Sequence, residues 1–249
     1  MTRNNGDFAA DWDRYAEQSR YFGAPHEVPG LASALAASSG TFVEVGCGDG
    51  NLLAHLSARG LLERFGRILA FDVSPERVQR CRQLGTTAQF AVGDACDLAL
   101  PPGSADFVLS DQVIEHVPDD RLMAREIARV LRSGGRAVVG SVTKARWAWY
   151  FYRCNGRWVL DPTHLREYQN APAYGEIFAD AGLHVESITS RPVAFPLADL
   201  ALRAMTRSGL LRSAGVVERS GRSPLVRRLS KARLPLPGYH LIWAFLRKP

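Results

Sequence analysis

Val43-Glu44-Val45-Gly46-Cys47-Gly48-Asp49-Gly50-Asn51 is the stretch that decides the fold. The apolar run Thr41 to Val45 leads into it, and an apolar-periodic segment, Leu52 to Leu61, leads out. That order predicts a strand, a glycine turn and a helix. Gly46, Gly48 and Gly50 carry no Cβ, so the turn can be tight and its backbone can lie close to a ligand. The Lys-Ser/Thr pair of a phosphate loop does not follow the glycines, which argues against a triphosphate. Glu44, an acid at the end of the strand, argues against a pyrophosphate and suits an ammonium group.

Outward from this turn, strands and helices alternate. Arg67 to Asp72 predicts a second strand, apolar throughout Ile68-Leu69-Ala70-Phe71, as a buried parallel strand is. Ser74-Pro75-Glu76 opens a helix, with Ser74 as N-cap and Pro75 at the first helical position. Thr86 to Val92 and Ala105 to Ser110 predict the third and fourth strands. Asp119 to Leu131 predicts a helix, stopped at Ser133-Gly134-Gly135, and Arg136 to Val142 a fifth strand. After Thr143 the pattern is neither helical nor extended, with Trp147, Trp149, Tyr150, Phe151, Tyr152 and Trp158 crowded together. Ala171 to Ala181 predicts a helix ended by Gly182, His184 to Thr189 a sixth strand, and Tyr239 to Arg247 a last strand. Upstream, 7–22 and His26 to Ala37 read as helices. Such alternation implies right-handed crossovers and a doubly wound, mostly parallel α/β sheet with helices on both faces. The expected organisation is an N-terminal helical cap (1–40), a core (41–190), a basic helical insert or lid (191–236) and a last core strand (237–249).

Composition bounds the function. The chain has 249 residues, 46% of them hydrophobic, enough for one large α/β domain with an appendage. No apolar run is long enough to span a bilayer. The segment from Met1 to Tyr21 carries Asp7, Asp11, Asp13 and Glu17 and lacks the apolar core of a secretory signal. Cys47, Cys81, Cys96 and Cys154 show neither metal-ligand nor disulfide spacing, so reduced thiols, a cytoplasmic location and no bound metal are expected. The net charge is +6. Between Arg191 and Arg233 ten basic residues stand against two acidic ones, so the basicity belongs to the insert.

In an open parallel sheet, ligands bind beyond the carboxyl ends of the strands. Strand one ends at Glu44 to Gly46, strand two at Asp72, strand three at Gly93-Asp94-Ala95, and strand four at Ser110-Asp111-Gln112. An acid placed as Asp72 is can accept both hydroxyls of a ribose. An acid with a backbone N–H, as at Asp94 and Ala95, can read an adenine edge. Together the ends suit one adenosine with a charged tail.

These segments, followed by Ile114-Glu115-His116-Val117 and Leu131-Arg132-Ser133-Gly134-Gly135, resemble the class I methyltransferases that use S-adenosylmethionine. The resemblance covers roughly 42–189 and rests on six motifs in the right order. It implies a seven-stranded sheet whose last strand is antiparallel and inserted beside the sixth. It also implies roles: Asp72 for the ribose, Asp94 and Ala95 for the adenine, Gly46 and Gly48 under the methionine part, Glu44 near the ammonium group, and Asp111 where the backbone meets the methionine carboxylate and amine. Cys47, Val73 and Gln112, beside these, join the expected cofactor-binding set. Tyr15 would close the pocket from the N-terminal helix, and Arg20 would reach the carboxylate.

Methyl transfer needs positioning and, for a hydroxyl acceptor, a base. Histidine is the natural base near neutral pH. His116 directly follows strand four, and His164 lies in Asp161-Pro162-Thr163-His164-Leu165-Arg166-Glu167-Tyr168, so these two are the candidates. Trp147, Tyr150 and Arg166 are the candidate acceptor contacts. In the insert, Leu197, Leu200, Ala201, Ala204 and Met205 fall on one helical face, with Arg203 and Arg207 elsewhere on the turn. Two uses stay open for it, a solvated basic lid and a helix pair on anionic lipid. Aromatics are not interleaved with its arginines, which argues against nucleic acid. The expected activity is therefore methylation of a small-molecule or lipid-linked acceptor, at oxygen, by a cytoplasmic or membrane-peripheral enzyme. Methylation at nitrogen or carbon, and a non-catalytic binding module, are the alternatives. A dinucleotide oxidoreductase is disfavoured, because Gly-x-Gly-x-Gly beside Glu44 departs from Gly-x-Gly-x-x-Gly.

Overall fold

A computed structural model describes residues 27–149, 152–154, 157–161, 163–196 and 233–249. Its elements run α1 (Leu31–Ala36), β1 (Gly40–Val45), α2 (Asn51–Ala58), β2 (Phe65–Asp72), α3 (Pro75–Cys81), β3 (Gln89–Val92), β4 (Ala105–Asp111), α4 (Asp120–Val130), β5 (Leu131–Lys144), β6 (Tyr152–Cys154), β7 (Arg157–Val159), α5 (Ala171–Asp180), β8 (His184–Pro196) and β9 (Arg233–Arg247).

Seven strands form one sheet in the order β3-β2-β1-β4-β5-β9-β8. The first five are parallel, and β9 is antiparallel to both β5 and β8. β1 lies central, with the glycine turn at its carboxyl end. Because side chains alternate across a strand, neighbouring residues of β1 serve opposite faces. Val43 and Val45 join Leu69, Val108 and Val139 against Met123 and Ile127 of α4 and Tyr174 and Phe178 of α5. Phe42 faces the other way and packs with Phe107, Leu109 and Trp243 against Leu35 of α1 and Leu53 and Leu56 of α2. Phe42 and Phe107 stack at 5.9 Å between ring centres, across the β1–β4 pair. Each large side chain buried in this way contributes about 1.5–3 kcal/mol, so both layers are held by the same strand.

The caps follow the sequence. The Ser74 hydroxyl accepts from the Arg77 amide at 3.3 Å, with Pro75 in the first turn of α3. The Asp119 carboxylate caps α4 by accepting from the Leu122 amide at 2.9 Å.

Four expectations are corrected. The helix expected over His26 to Ala37 is confined to Leu31–Ala36, because Pro29 and a left-handed Gly30 (φ 87°) precede it. Ser133-Gly134-Gly135 is not a loop between helix and strand: β5 already begins at Leu131, and these residues form an irregularity within it before the regular register resumes at Arg136. The aromatic segment contains a small antiparallel hairpin, β6–β7. β8 and β9 outrun their expected ends: pairing continues through Arg191↔Leu241 and Pro192↔His240 to Pro196↔Arg233. The insert is thereby mounted on a long two-stranded arm, and its residues 197–232 lie outside the described residues. The expected helix at 7–22 also lies outside them. Among the described residues, no helix is long and apolar enough to cross a membrane.

Candidate active site at the strand ends

The glycine turn is fastened from below. The Gly46 and Cys47 amides both donate to the Phe71 carbonyl of β2, at 2.7 and 2.9 Å, and the Gly50 amide donates to the Cys47 carbonyl at 2.8 Å. The Gly48 amide donates to Oδ2 of Asp72 at 2.8 Å. The amides of Gly46, Cys47, Gly48 and Gly50 therefore face the protein, so the turn is no cradle of unpaired N–H groups for a phosphate. The N–H and C=O of Cys47 are both engaged within the protein, and its buried thiol lies 4.0 Å from that of Cys81. Burial and that thiol contact keep the Cys47 thiol protonated. Gly46 has φ 77°, and a Cβ there would lie 2.2 Å from Cγ2 of Val113.

Asp72 closes β2 and is buried. Its Oδ1 accepts from the Ser74 amide at 3.0 Å, while Oδ2 holds Gly48. It thus ties the glycine turn to the start of α3. Each oxygen retains a further lone pair, which is what a ribose diol would use. Burial raises its pKa, and the two amides work against that rise. Val73 follows, half-buried. Glu44 is buried (3% exposed), and its Oε2 has no partner among the described residues. Burial, with the nearby acids Asp111 and Asp72, holds its pKa well above the carboxylate range. A buried carboxylate without a partner is costly, and a ligand cation would relieve that cost. Asp49 pairs with Arg80 at 3.1 Å, a structural use of that acid.

At the third strand end, Asp94 turns the chain, its Oδ1 accepting from the Cys96 amide at 2.8 Å. Ala95 is buried in the core cluster beside it. At the fourth, Oδ1 of Asp111 accepts from the indole N–H of Trp243 at 2.8 Å, passing over Gly140, where a Cβ would meet it at 2.1 Å. The carboxylate of Asp111 thus ties β4 to β9. Gln112 is the one non-glycine with positive φ (58°) among the described residues, and its amide donates to the Gly140 carbonyl at 3.0 Å. Its buried Nε2 has no partner among them. Strain of this kind marks sites that surrounding structure must hold.

On the acceptor side the structure brings His116 and His164 together, with rings edge to face and centres 4.8 Å apart. Their chemistry differs. Burial first, and then the charge on His164, push the His116 pKa down to about 3, so this ring is neutral. For His164 burial opposes charge, yet the Nδ1 hydrogen bond to Glu167 at 3.0 Å and the Glu115 and Asp161 carboxylates raise its pKa. The protonated form of His164 is therefore favoured, and the residue anchors its loop. The Leu165 and Arg166 amides also dock on the Glu115 carbonyl, at 3.0 and 3.4 Å.

Arg166, expected at the acceptor, has its guanidinium engaged by protein groups. Its guanidinium donates to the carbonyls of Ile114, Val117 and Pro118, at 3.1, 2.5 and 2.7 Å, and stands 3.6 Å from Asp120. It clamps the turn that carries His116. Trp147 is 70% exposed beyond β5, and Trp149, 60% exposed, meets Trp158 edge to face at 6.2 Å. Tyr15, Arg20 and Tyr150 lie outside the described residues.

The sequence reading gave no role to Glu115. Its carboxylate is fully buried, accepts from the Ser141 hydroxyl at 2.9 Å, and is pushed up to about 7 by burial. The signal was present in Ile114-Glu115-His116, where an acid interrupts an apolar stretch. One ligand atom from each of Glu115, His116 and His164 lies within 4.8 Å of the others. The positive His164 already sits among the carboxylates there, which disfavours a second cation. A cleft of about 390 Å³ between α1 and the far end of the sheet, lined by Ser33, Arg136, Glu186 and Phe245, holds none of the acids described above.

Residues 43–139 match the family model described as a methyltransferase domain. That match and the strand order mark a methyltransferase domain with the class I, Rossmann-like fold. The domain is 39% identical over 103 residues to 2-methyl-6-phytyl-1,4-hydroquinone methyltransferase of Synechocystis, covering 40% of this chain and 31% of that protein. It is 30% identical over 175 residues to a Mycolicibacterium smegmatis protein named a probable S-adenosylmethionine-dependent methyltransferase, covering 69% of this chain and 62% of that one. The first of these matches spans only about a third of the relative's length. Among solved structures, that of the [4+2]-cyclase SpnF aligns with a TM-score of 0.64 at 18% identity, over 100% of this chain and 98% of that one. At that identity the likeness is one of fold, and that protein is named for chemistry other than methyl transfer, so the reaction must be argued from the site.

Proposed function

We propose that this methyltransferase domain binds S-adenosylmethionine at the carboxyl ends of β1 to β4 and methylates a small-molecule or lipid-linked acceptor, at oxygen, with His116 as the acceptor-side base. The observation that carries the reading is Glu44: a buried carboxylate with an oxygen that has no partner among the described residues, beside a turn whose Gly46, Cys47, Gly48 and Gly50 amides are already engaged. Such a place repels phosphate and favours an ammonium group. Asp72 would take the ribose hydroxyls, Asp94 and Ala95 the adenine edge, and Glu44 the amine, with the strained Gln112 bordering the methionine part. When bound, S-adenosylmethionine supplies a methyl group activated by its sulfonium charge.

This chain's residues supply the rest. The neutral His116 has a lone pair to accept a hydroxyl proton, whereas His164 is shifted towards its protonated form and anchors its loop. The exposed indoles of Trp147 and Trp149 stand beyond β5, where they suit a flat or isoprenoid-bearing acceptor. The hydroquinone with a phytyl chain in the name of the Synechocystis relative supports that class. The basic insert, 197–232, would bring a lipid-linked acceptor's anionic membrane within reach. A domain that binds S-adenosylmethionine without turnover is the second reading.

The test is release of S-adenosylhomocysteine against a panel of phenols, hydroquinones, amines and their prenylated forms, with the methylated atom located by NMR. Turnover on hydroxylated rings supports the proposal. Turnover on amines alone removes the oxygen assignment, and binding without turnover on any acceptor class removes the enzyme.

A further inference from the structure

His116 is not held by its own strand alone. Its Nδ1 lies 3.3 Å from the Thr163 carbonyl and 3.1 Å from the Thr163 hydroxyl oxygen. That hydroxyl donates to Oδ1 of Asp161 at 2.6 Å, and the Thr163 amide donates to the same oxygen at 2.8 Å. Asp161 is ionised, because the Thr163 bonds and the two histidines outweigh its burial. A carboxylate only accepts, so the single hydroxyl proton of Thr163 is committed to Asp161. Both Thr163 oxygens therefore face Nδ1 as acceptors, and the proton of the neutral ring must sit on Nδ1.

We propose that Asp161 and Thr163 are positioning residues for His116: together they fix its Nδ1–H tautomer and ring plane, so that Nε2 carries the lone pair, and the Asp161 charge offsets the imidazolium that forms when the acceptor gives up its proton. The inference rests on the reading of His116 as the acceptor-side base. The proton leaves the acceptor hydroxyl, resides on Nε2 and passes to solvent. The methyl carbon exchanges its bond to sulfur for one to oxygen, and the electron pair of the broken bond stays on sulfur. The logic is that of an acid that orients a catalytic imidazole, with a hydroxyl interposed. It also gives a use to Asp161 and Thr163, to which the proposed cofactor contacts assign none.

The first test needs no turnover. Long-range ¹H–¹⁵N spectra of the full chain at neutral pH, with the His116 signals assigned by their loss in His116→Gln, should show a protonated Nδ1 and an unprotonated Nε2. An Nε2–H ring overturns the inference and leaves methyl transfer standing. In the second test, Asp161→Asn and Thr163→Val should each lower kcat about 10- to 100-fold. Binding of S-adenosylhomocysteine should change less than about twofold, because neither side chain borders that site. Thr163→Ser, which keeps the hydroxyl, should recover most of what Thr163→Val loses. Unchanged kcat in both variants, or equal loss in the Val and Ser variants, contradicts the positioning role. Should Asp161→Asn not fold, the Thr163 pair decides alone. Absence of S-adenosylhomocysteine binding in the wild type would instead strike the proposed function and leave the tautomer untouched.

Discussion

His116 and His164 stand edge to face, 4.8 Å between ring centres, and their pKa values are pushed in opposite directions. The neighbouring positive charge is one of the two main causes of the low His116 pKa, after burial. Replacing His164 by Gln removes that charge and keeps a polar group near Glu167. The His116 pKa should then rise from about 3 towards the ordinary value of about 6.5. NMR titration of the ring protons measures this directly. An unmoved His116 titration would mean that burial alone sets its charge.

The same cluster should give stability a pH slope. Glu115 is raised to about 7 from an ordinary 4.5, and His164 is raised above 6.5. A group whose folded pKa is raised stabilises the fold fully below its unfolded pKa and loses that contribution as pH climbs through the folded value. The window thus opens near pH 4.5 for Glu115, closes near 7, and continues above that for His164. Urea unfolding across pH 5 to 9 should show stability falling with pH, and a smaller fall in Glu115→Gln.

Gly46→Ala should damage both fold and binding. The position has φ 77° and would place its new methyl 2.2 Å from Val113. Left-handed strain and overpacking cost about 1–3 kcal/mol each. Adding Val113→Ala should recover the packing part and leave the strain, so a double-mutant cycle in thermal unfolding separates them.

How much of this was legible in the sequence depends on range. The glycine turn, Ser74-Pro75 and Asp119 are local signals, and the structure places them as their chemistry demands. Asp72 and Glu44 were legible as strand-end acids because a parallel sheet gathers its carboxyl ends. Asp111 was legible as a strand end whose backbone could meet a ligand, but its carboxylate's bond to Trp243 was not, since Trp243 is 132 positions away and no local pattern links the two. Arg166 looked available because its partners are backbone carbonyls, which carry no residue identity. The lengths of β8 and β9 were hidden by Pro192, Pro196, Pro235 and Pro237, which read as strand breakers although the pairing passes through or beside them.

Arg166 therefore makes a sharp prediction. Arg166→Ala leaves the carbonyls of Ile114, Val117 and Pro118 without their donor and should lower stability by about 2 kcal/mol. Arg166→Lys should not restore it, since a point charge cannot reproduce the fork. A large rise in acceptor KM with unchanged melting temperature would instead return Arg166 to the acceptor site.

The most direct measurement of the central claim is titration calorimetry of S-adenosylmethionine and S-adenosylhomocysteine into the wild type, Glu44→Gln and Asp72→Asn. The account predicts one site per chain, and affinity falling about 10- to 100-fold in each variant, as loss of a buried charged hydrogen bond of about 1.5–3 kcal/mol requires. It also predicts no heat from adenosine triphosphate. Wild-type affinity retained in both variants, or no binding of either sulfur compound, would contradict it.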